Sequence, residues 1–190
     1  MTTPLLTLHT TESAPDASRP LLAHARQRFG RVPNLLASMA ESPALLSGYL
    51  ALAGAFEGSS FSAVEQHVVL QTTNAANRCH YCTAAHSAVA LQVTRIDPAV
   101  DAALRELRPL ADPRLEALRR FTLDLVQQRG WVESAKTDAF LAAGYTRAQL
   151  LEVLLGVGMK TLSNYLNHVA ATPLDAAFAA HAEPEPAQAS

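Results

Sequence analysis

The 190-residue sequence has few of the residues that nucleic-acid binding requires. Aromatic residues make up 6% of the chain, and 15 Lys and Arg are outweighed by 17 Asp and Glu, which gives a net charge of −2. Proteins that bind nucleic acids use basic surfaces and stacking aromatic side chains. We therefore expect no nucleic-acid partner.

Long apolar runs are also absent. Segment 1–20 carries Glu12, Asp16, Pro4 and Pro15 where a secretory signal needs a basic flank and an apolar run. The most apolar later stretch, 150–159, includes Glu152 and is much shorter than the roughly 20 residues needed to cross a bilayer. We expect a cytoplasmic protein with no membrane partner.

Cysteine is rare, and its placement is informative. The chain has two cysteines, Cys79 and Cys82. In a reducing cytoplasm, two thiols this close in sequence serve metal binding or redox chemistry more often than a structural disulfide. This pair is the first candidate for a functional site.

The residues that are abundant predict helices. Apolar residues form 49% of the chain and recur at helical spacing, whereas the alternation typical of strands is almost absent. The pattern predicts an all-α, single-domain bundle of about eight helices over residues 20–180. An N-terminal extension (1–19) precedes it, and a mobile, Pro- and Ala-rich tail (181–190) follows.

Local signals predict several helix boundaries. Ser62 and Glu65 have the spacing of a capping box, in which each side chain bonds the backbone N–H of the other residue. Asn77 is expected to cap the helix that carries the cysteines. In the last long helix, Gly156 and Gly158 suggest close approach by another backbone, and an oligomer interface there is reasonable.

The cysteine segment has the pattern of a redox dithiol. Cys79, Cys82 and His86 are spaced three and four residues apart, so they share one face of a helix. Both cysteines would lie near the helix N-terminus, whose positive dipole end favours thiolate. His86 could exchange a proton with a sulfur directly or through water. A peroxide would oxidise one thiolate to a sulfenic acid, which the second cysteine converts to a disulfide.

This chemistry needs a reductant but no bound cofactor. Nothing in the sequence indicates a site for flavin or nicotinamide, so an external dithiol must reduce the disulfide by exchange.

Two other interpretations of the cysteine pair remain open. The cysteines could be inert core residues, or Cys79, Cys82 and His86 could bind zinc with His67 or His168. The second would make the chain a zinc-stabilised, non-enzymatic oligomeric binding protein.

The chain resembles the carboxymuconolactone decarboxylase superfamily, and within it the alkylhydroperoxidase D-like, peroxidase-related branch. The resemblance covers roughly residues 28–178. It rests on three motifs: Cys79-x-Tyr81-Cys82-x-x-Ala85-His86-Ser87, Gly30-Arg31-Val32-Pro33-Asn34 and Ser163-Asn164-Tyr165-x-Asn167-His168.

The resemblance implies an all-helical fold, assembly as trimers or hexamers, and an antioxidant role in hydroperoxide reduction. It implies that Cys82 attacks the peroxide, that Cys79 resolves the sulfenic acid and that His86 relays protons. It also implies a small hydroperoxide substrate and a reductant of the dithiol or lipoyl type. Decarboxylases of the superfamily do not depend on a cysteine pair, so lactone decarboxylation is an alternative function.

One position departs from the pattern of this branch. The relay glutamate, twelve residues before the first cysteine, is replaced by His67, and Glu65 lies two residues earlier. Two residues correspond to about 200° around a helix, so both side chains cannot face the dithiol equally. We expect His67 to face it and Glu65 to belong to the capping box. The polar residues Asn164, Asn167 and His168 are candidates for the same pocket, or else they terminate their helix.

Overall fold

The computed structural model describes residues 5–182, which form helices joined by short turns, with no strand in that range. The all-α class is confirmed. Nine α-helices and a final 3₁₀-helix follow in chain order: α1 (Arg19–Phe29), α2 (Asn34–Met39), α3 (Pro43–Glu57), α4 (Ala63–Ala76), α5 (His80–Gln92), α6 (Pro98–Arg105), α7 (Pro113–Gln127), α8 (Ser134–Ala142), α9 (Arg147–Ala170) and the 3₁₀-helix (Ala176–His181).

The predicted tail and the predicted N-terminal extension are described to different extents. The predicted tail lies mostly outside the described residues, of which the last is 182. At the other end, the predicted extension packs on the helices: Ala14 is buried, and the Ser18 hydroxyl donates to the Ala40 carbonyl over 2.8 Å. None of the helices in 5–182 combines the length and the apolar composition that a membrane span requires.

The predicted capping box is present at the start of α4. The Ser62 side chain accepts from the backbone N–H of Glu65, and the Glu65 carboxylate accepts from the backbone N–H of Ser62 over 2.9 Å. Thr146 and Gln149 form a second box at the start of α9. These caps satisfy backbone donors that would otherwise have no partner at the helix ends.

The turn between α4 and α5 places the first cysteine, and here the prediction for Asn77 is wrong. Asn77 ends α4, and Arg78 adopts a left-handed conformation with φ 54°. The Cys79 N–H bonds the Asn74 carbonyl and the Arg78 N–H bonds the Ala75 carbonyl, both over 3.0 Å, as in a Schellman motif. Since that motif uses Asn77 at the end of α4, Cys79 takes the N-cap position of α5.

Two hydrophobic clusters form the core. The first joins α1, α2, α5 and the 3₁₀-helix and contains both cysteines. The second joins α4, α7, α8 and α9 and contains the stacked rings of Phe121, Phe140 and Tyr145, with neighbouring centroids 4.6 Å apart. Helix α9 contacts α2, α3, α4, α5 and α7, so its side chains can reach both clusters.

Gly156 allows α9 to pack closely against α3 and α4. A Cβ at this position would lie 2.6 Å from Phe56 Cε2 and 2.8 Å from Val69 Cγ1, and both of these side chains are buried. The predicted close approach is therefore present at Gly156, although side chains rather than a backbone make it. Gly158 has no atom of its own chain within 4 Å of such a Cβ, so within the described residues nothing approaches it closely.

Replacing these two glycines with alanine should have opposite effects on stability. Gly156→Ala should lower the free energy of unfolding by up to about 2 kcal/mol, because overpacking of about 1–3 kcal/mol exceeds the roughly 1 kcal/mol gained in helix propensity. Gly158→Ala, the matched control, should raise it by up to about 1 kcal/mol. Urea unfolding measures both, and equal midpoints for the two variants would contradict this account of the packing.

Candidate active site

The two thiols lie together at the start of α5. Cys79 is the N-cap residue and Cys82 lies in the first turn. Both are free cysteines with 1% of their surface exposed. The amide nitrogen of Asn167 lies within 3.7 Å of both sulfurs, and each thiol shifts the pKa of the other. The structure therefore brings the predicted pair together inside the core.

A polar stripe on α9 faces this pair. Lys160, Ser163, Asn164 and Asn167 follow at three- and four-residue spacing, so they share one face of the helix, and all four are buried. The amide nitrogen of Asn167 lies 3.2 Å from the Cys82 sulfur and 3.7 Å from the Cys79 sulfur. The Ser163 hydroxyl lies 3.9 Å from the Cys82 sulfur. The sulfurs are thus surrounded by polar groups within an apolar core.

Lys160 brings a positive charge into this core. It is 1% exposed, and its Nζ lies 3.1 Å from Nε2 of His86. Among residues 5–182, no carboxylate forms an ion pair with it. The ionisable groups that favour its charge are the thiol of Cys82, the phenol of Tyr49 and the thiol of Cys79. The groups that favour the buried ammonium are therefore the two thiols and the phenol of Tyr49.

The surroundings separate the pKa values of the two thiols. The hydrogen bond from Cys79 lowers the pKa of Cys82 well below the usual range of a thiol; burial opposes this, and the charge of Lys160 and bonds from Asn164 and Ser163 support it. The same bond, together with burial, raises the pKa of Cys79. Cys82 is therefore the thiol of the pair that ionises first, and Cys79 is the one that holds its proton more tightly.

His86 is neutral in this environment. Burial first, and then the positive charge of Lys160 and the neighbouring His67, hold the pKa of His86 well below its usual range. A neutral imidazole can accept a hydrogen bond at Nε2, and Lys160 donates that bond. For Lys160 itself, burial opposes the charge, but the attraction of Cys82 and Tyr49 outweighs burial and raises its pKa. Lys160 is therefore the protonated member of the pair.

His67 lies behind His86 and contacts a carboxylate, not a sulfur. Its Nε2 lies 2.9 Å from Oδ1 of Asp101, and both residues are buried. The same oxygen accepts bonds from the Gln71 amide over 3.1 Å and from the Ser87 hydroxyl over 3.0 Å. Although burial opposes ionisation, these bonds from His67 and Ser87 lower the pKa of Asp101. His67 thus connects the site to an ionised carboxylate on α6.

Two of the candidate residues lie away from the dithiol. Glu65 binds Ser62 in the capping box and forms an ion pair with Arg114. His168 is exposed, and its ring lies 6.4 Å from that of Tyr165. Its side chain points about 100° away from that of Asn167 around α9, so it does not reach the dithiol of its own chain, and its place in the last turn of the helix agrees with the alternative of helix termination.

Asn164 joins three helices through its amide. Its Nδ2 donates to Asn74 Oδ1 over 3.0 Å, and its Oδ1 accepts from the Asn77 amide over 2.9 Å. The Asn74 amide reaches the Cys82 carbonyl over 3.4 Å. This network fixes α4, α5 and α9 around the sulfurs, with both ends of the Asn164 amide occupied.

The side chains proposed above as zinc ligands do not converge. Nε2 of His86 bonds Lys160, Nε2 of His67 bonds Asp101, and His168 is exposed. Within the part of the chain that the structure describes, His, Cys, Asp and Glu side chains form no group of three or more that could hold a metal ion.

Sequence reasoning missed Lys160, Ser163 and Asp101. A signal for the first two was present: a lysine and a serine occur at three- and four-residue spacing with Asn164 and Asn167 in an otherwise apolar helix. Asp101 follows a Pro-initiated helix start and gives no comparable signal, because its partner His67 is 34 residues away.

Comparisons with known proteins identify the fold. No family model and no curated protein matches the chain. Among solved structures, an uncharacterized peroxidase-related protein from Ralstonia eutropha JMP134, described as an alkylhydroperoxidase AhpD core, has 21% identity and a TM-score of 0.82, covering 94% of this chain and 95% of that one. A peroxidase-related protein from Silicibacter sp. TM1040 has 21% identity and a TM-score of 0.77, covering 94% and 97%.

A third similar structure is that of an enzyme with a different named activity. The debrominase Bmp8, in complex with 2,3,4-tribromopyrrole, has 17% identity and a TM-score of 0.79, covering 95% of this chain and 96% of that one. At these identities the likeness concerns the arrangement of the helices. The chain has the alkylhydroperoxidase D-like fold of the peroxidase-related proteins.

Proposed function

We propose that this protein is a thiol-dependent hydroperoxidase or disulfide reductase that uses Cys79 and Cys82 as a redox-active pair, with a histidine proton relay. The observation that carries the proposal is the buried Lys160 beside Cys82, with no carboxylate to balance its charge among residues 5–182. An ammonium removed from water needs an anion close by. A Cys82 thiolate supplies that anion and is also the nucleophile that the reaction requires.

The first step is attack of the Cys82 thiolate on the outer oxygen of a hydroperoxide. A sulfur–oxygen bond forms, the oxygen–oxygen bond breaks, and two electrons pass from sulfur to the peroxide. The departing alkoxide, or hydroxide from hydrogen peroxide, takes a proton from Lys160. The products are a sulfenic acid on Cys82 and an alcohol or water. Lys160 then regains a proton from solvent by way of His86.

The second step closes a disulfide within the chain. The Cys79 sulfur attacks the sulfenic acid on Cys82, the sulfur–oxygen bond breaks, and the departing hydroxide takes the proton of the Cys79 thiol to leave as water. The raised pKa of Cys79 keeps that proton in place until this step. An external dithiol, which we propose is of the lipoyl type, then reduces the disulfide by exchange and is itself oxidised.

Burial of the sulfurs limits which oxidants can react. With 1% of each cysteine exposed, the oxidant reaches Cys82 only during local opening of the surrounding helices. Small hydroperoxides need the smallest opening and are the substrates we propose. We further propose that the protein works in the cytoplasm as an antioxidant and assembles as a trimer or hexamer.

The fold itself does not select the oxidant, since one protein with the same fold is named a debrominase. A brominated pyrrole is therefore the appropriate competing electrophile, and a lactone decarboxylase would turn over without the cysteines. Decarboxylation is separated from hydroperoxide reduction by following the two thiols during turnover, and debromination is separated by measuring the release of bromide.

The cysteine variants should stop at different stages. Hydroperoxide should convert two titratable thiols of the reduced protein to none, reversibly with a dithiol. Cys79→Ser should trap a sulfenic acid at Cys82, which a dimedone-type reagent and mass spectrometry detect. Sulfenic acid formed instead at Cys79 in the Cys82→Ser protein would reverse the two roles. Lactone turnover that persists in both variants would replace this function with decarboxylation.

Removing the charge of Lys160 should weaken the thiolate. In a Cys79→Ser background, where only Cys82 is a thiol, Lys160→Met should move the titration midpoint of Cys82 upward by about one to three pH units. The sign follows from the loss of a cation that favours the anion, so less thiolate is present at neutral pH. Ultraviolet absorbance of the thiolate measures the midpoint. Lys136→Met is the matched control, because Lys136 lies on α8 and pairs with Asp124 over 3.3 Å; an equal midpoint in both variants would exclude the role of Lys160.

A further inference from the structure

One end of the Asn167 amide is hydrogen-bonded, and the other end has no hydrogen-bond partner in the described part of the chain. Its Nδ2 contacts both sulfurs, at 3.2 and 3.7 Å. Its Oδ1 is buried and has no hydrogen-bond partner among the described residues. Two other buried side-chain oxygens in 5–182 share this condition, on Thr72 and Thr172, but neither residue contacts a sulfur in the hydrogen bonds found there.

The chemistry of the sulfur determines which end of the amide faces it. A thiolate accepts hydrogen bonds and donates none, so it orients the amide of Asn167 with the NH₂ group toward Cys82. The carbonyl oxygen is then the end of the amide that faces away from the sulfur, and it is the end without a hydrogen-bond partner among the described residues. Unpaired buried acceptors are rare in proteins and call for an explanation.

Asn164 provides an internal comparison. It lies on the same face of α9 and also contributes a hydrogen bond that lowers the pKa of Cys82. In contrast to Asn167, both ends of its amide are bonded, to Asn74 and Asn77. The unpaired acceptor is therefore a property of position 167 and not of every amide in the polar stripe.

We propose that Oδ1 of Asn167 accepts the O–H of the hydroperoxide and so forms the substrate-binding subsite beside Cys82. This inference rests on the proposed function. The atom that Cys82 attacks is the outer oxygen, which carries the proton, so a bond to that proton holds the oxygen beside the sulfur. Asn167 then contacts both reaction partners, with Nδ2 on the thiolate and Oδ1 on the peroxide.

The same hydrogen bond persists through the first step. The outer oxygen keeps its proton as the sulfur–oxygen bond forms and the oxygen–oxygen bond breaks, while the departing alkoxide takes the proton of Lys160. The sulfenic acid S–O–H therefore still donates to Asn167. A dialkyl peroxide has no such proton and cannot make this bond. The subsite thus favours the chemical class of hydroperoxides, ROOH, over dialkyl peroxides, ROOR.

The test compares two electrophiles that differ in the O–H group. The rate of Cys82 oxidation is measured in the Cys79→Ser background with tert-butyl hydroperoxide and with an aromatic disulfide reagent, which has no O–H. Asn167→Ala removes the donor to the thiolate for both reagents and the acceptor for the hydroperoxide alone. The ratio of the hydroperoxide rate to the disulfide rate should fall about fivefold, the factor that one neutral hydrogen bond contributes.

Asn164→Ala is the matched control. It removes a donor to Cys82 but no unpaired acceptor, so both rates should fall together and their ratio should stay at the value of the parent protein. If Asn167→Ala does not fold, as judged by circular dichroism, Asn167→Leu, which has a similar shape but no hydrogen-bonding group, replaces it with the same expected ratio.

The outcomes separate this inference from the proposed function. A lowered ratio in the Asn167 variant alone supports the subsite. An unchanged ratio there, with hydroperoxide still forming sulfenic acid in the parent protein, overturns the subsite and leaves the proposed function intact. A parent protein that reacts with the disulfide reagent but not with hydroperoxide overturns the proposed function, and the subsite with it.

Discussion

The buried charge of Lys160 determines how the rest of the site must be arranged. A lysine ammonium removed from water is strongly unfavourable unless an anion and hydrogen-bond acceptors replace the water. Here Cys82 and Tyr49 favour the charge, and the neutral imidazole of His86 accepts one of its protons. The dithiol and the lysine therefore stabilise each other, since the thiolate also lacks water. Loss of either charge would leave the other uncompensated in the core.

The fold keeps these two charges close through contacts at some distance from them. Gly156 lets α9 approach Phe56 and Val69, which sets the position of the lysine one turn later on the same helix. At the other side, the left-handed Arg78 ends α4 and directs the chain into Cys79 at the start of α5. This chain reversal requires very few residues, so the end of α4 lies next to the start of α5. Both helices can therefore join the same amide network with α9.

The structural features that depend on residues close to one another in the sequence could be predicted from the sequence. The capping box of Ser62 and Glu65 follows from spacing alone, and the structure contains it. The sequence places Cys79 and Cys82 on one helical face, whereas in the structure Cys79 is the extended N-cap residue of α5 and only Cys82 lies within the helix. The pairing of His67 with Asp101 could not be predicted, because it depends on how α6 packs on α4. The N-cap of α5 was predicted at the wrong residue for a related reason. Asn77 is a good cap residue, but it is the last residue of α4 in the Schellman motif that ends that helix.

The nearest carboxylate to His67 is bonded to it and lies on another helix, because Asp101 Oδ1 on α6 is 2.9 Å from Nε2 of His67. Among the described residues no carboxylate forms an ion pair with Lys160. Bonds from Gln71 and Ser87 also occupy the carboxylate of Asp101. The lysine is then left to the thiolate. In the proposed mechanism, the cation on α9 is therefore the charged group that favours the thiolate of Cys82.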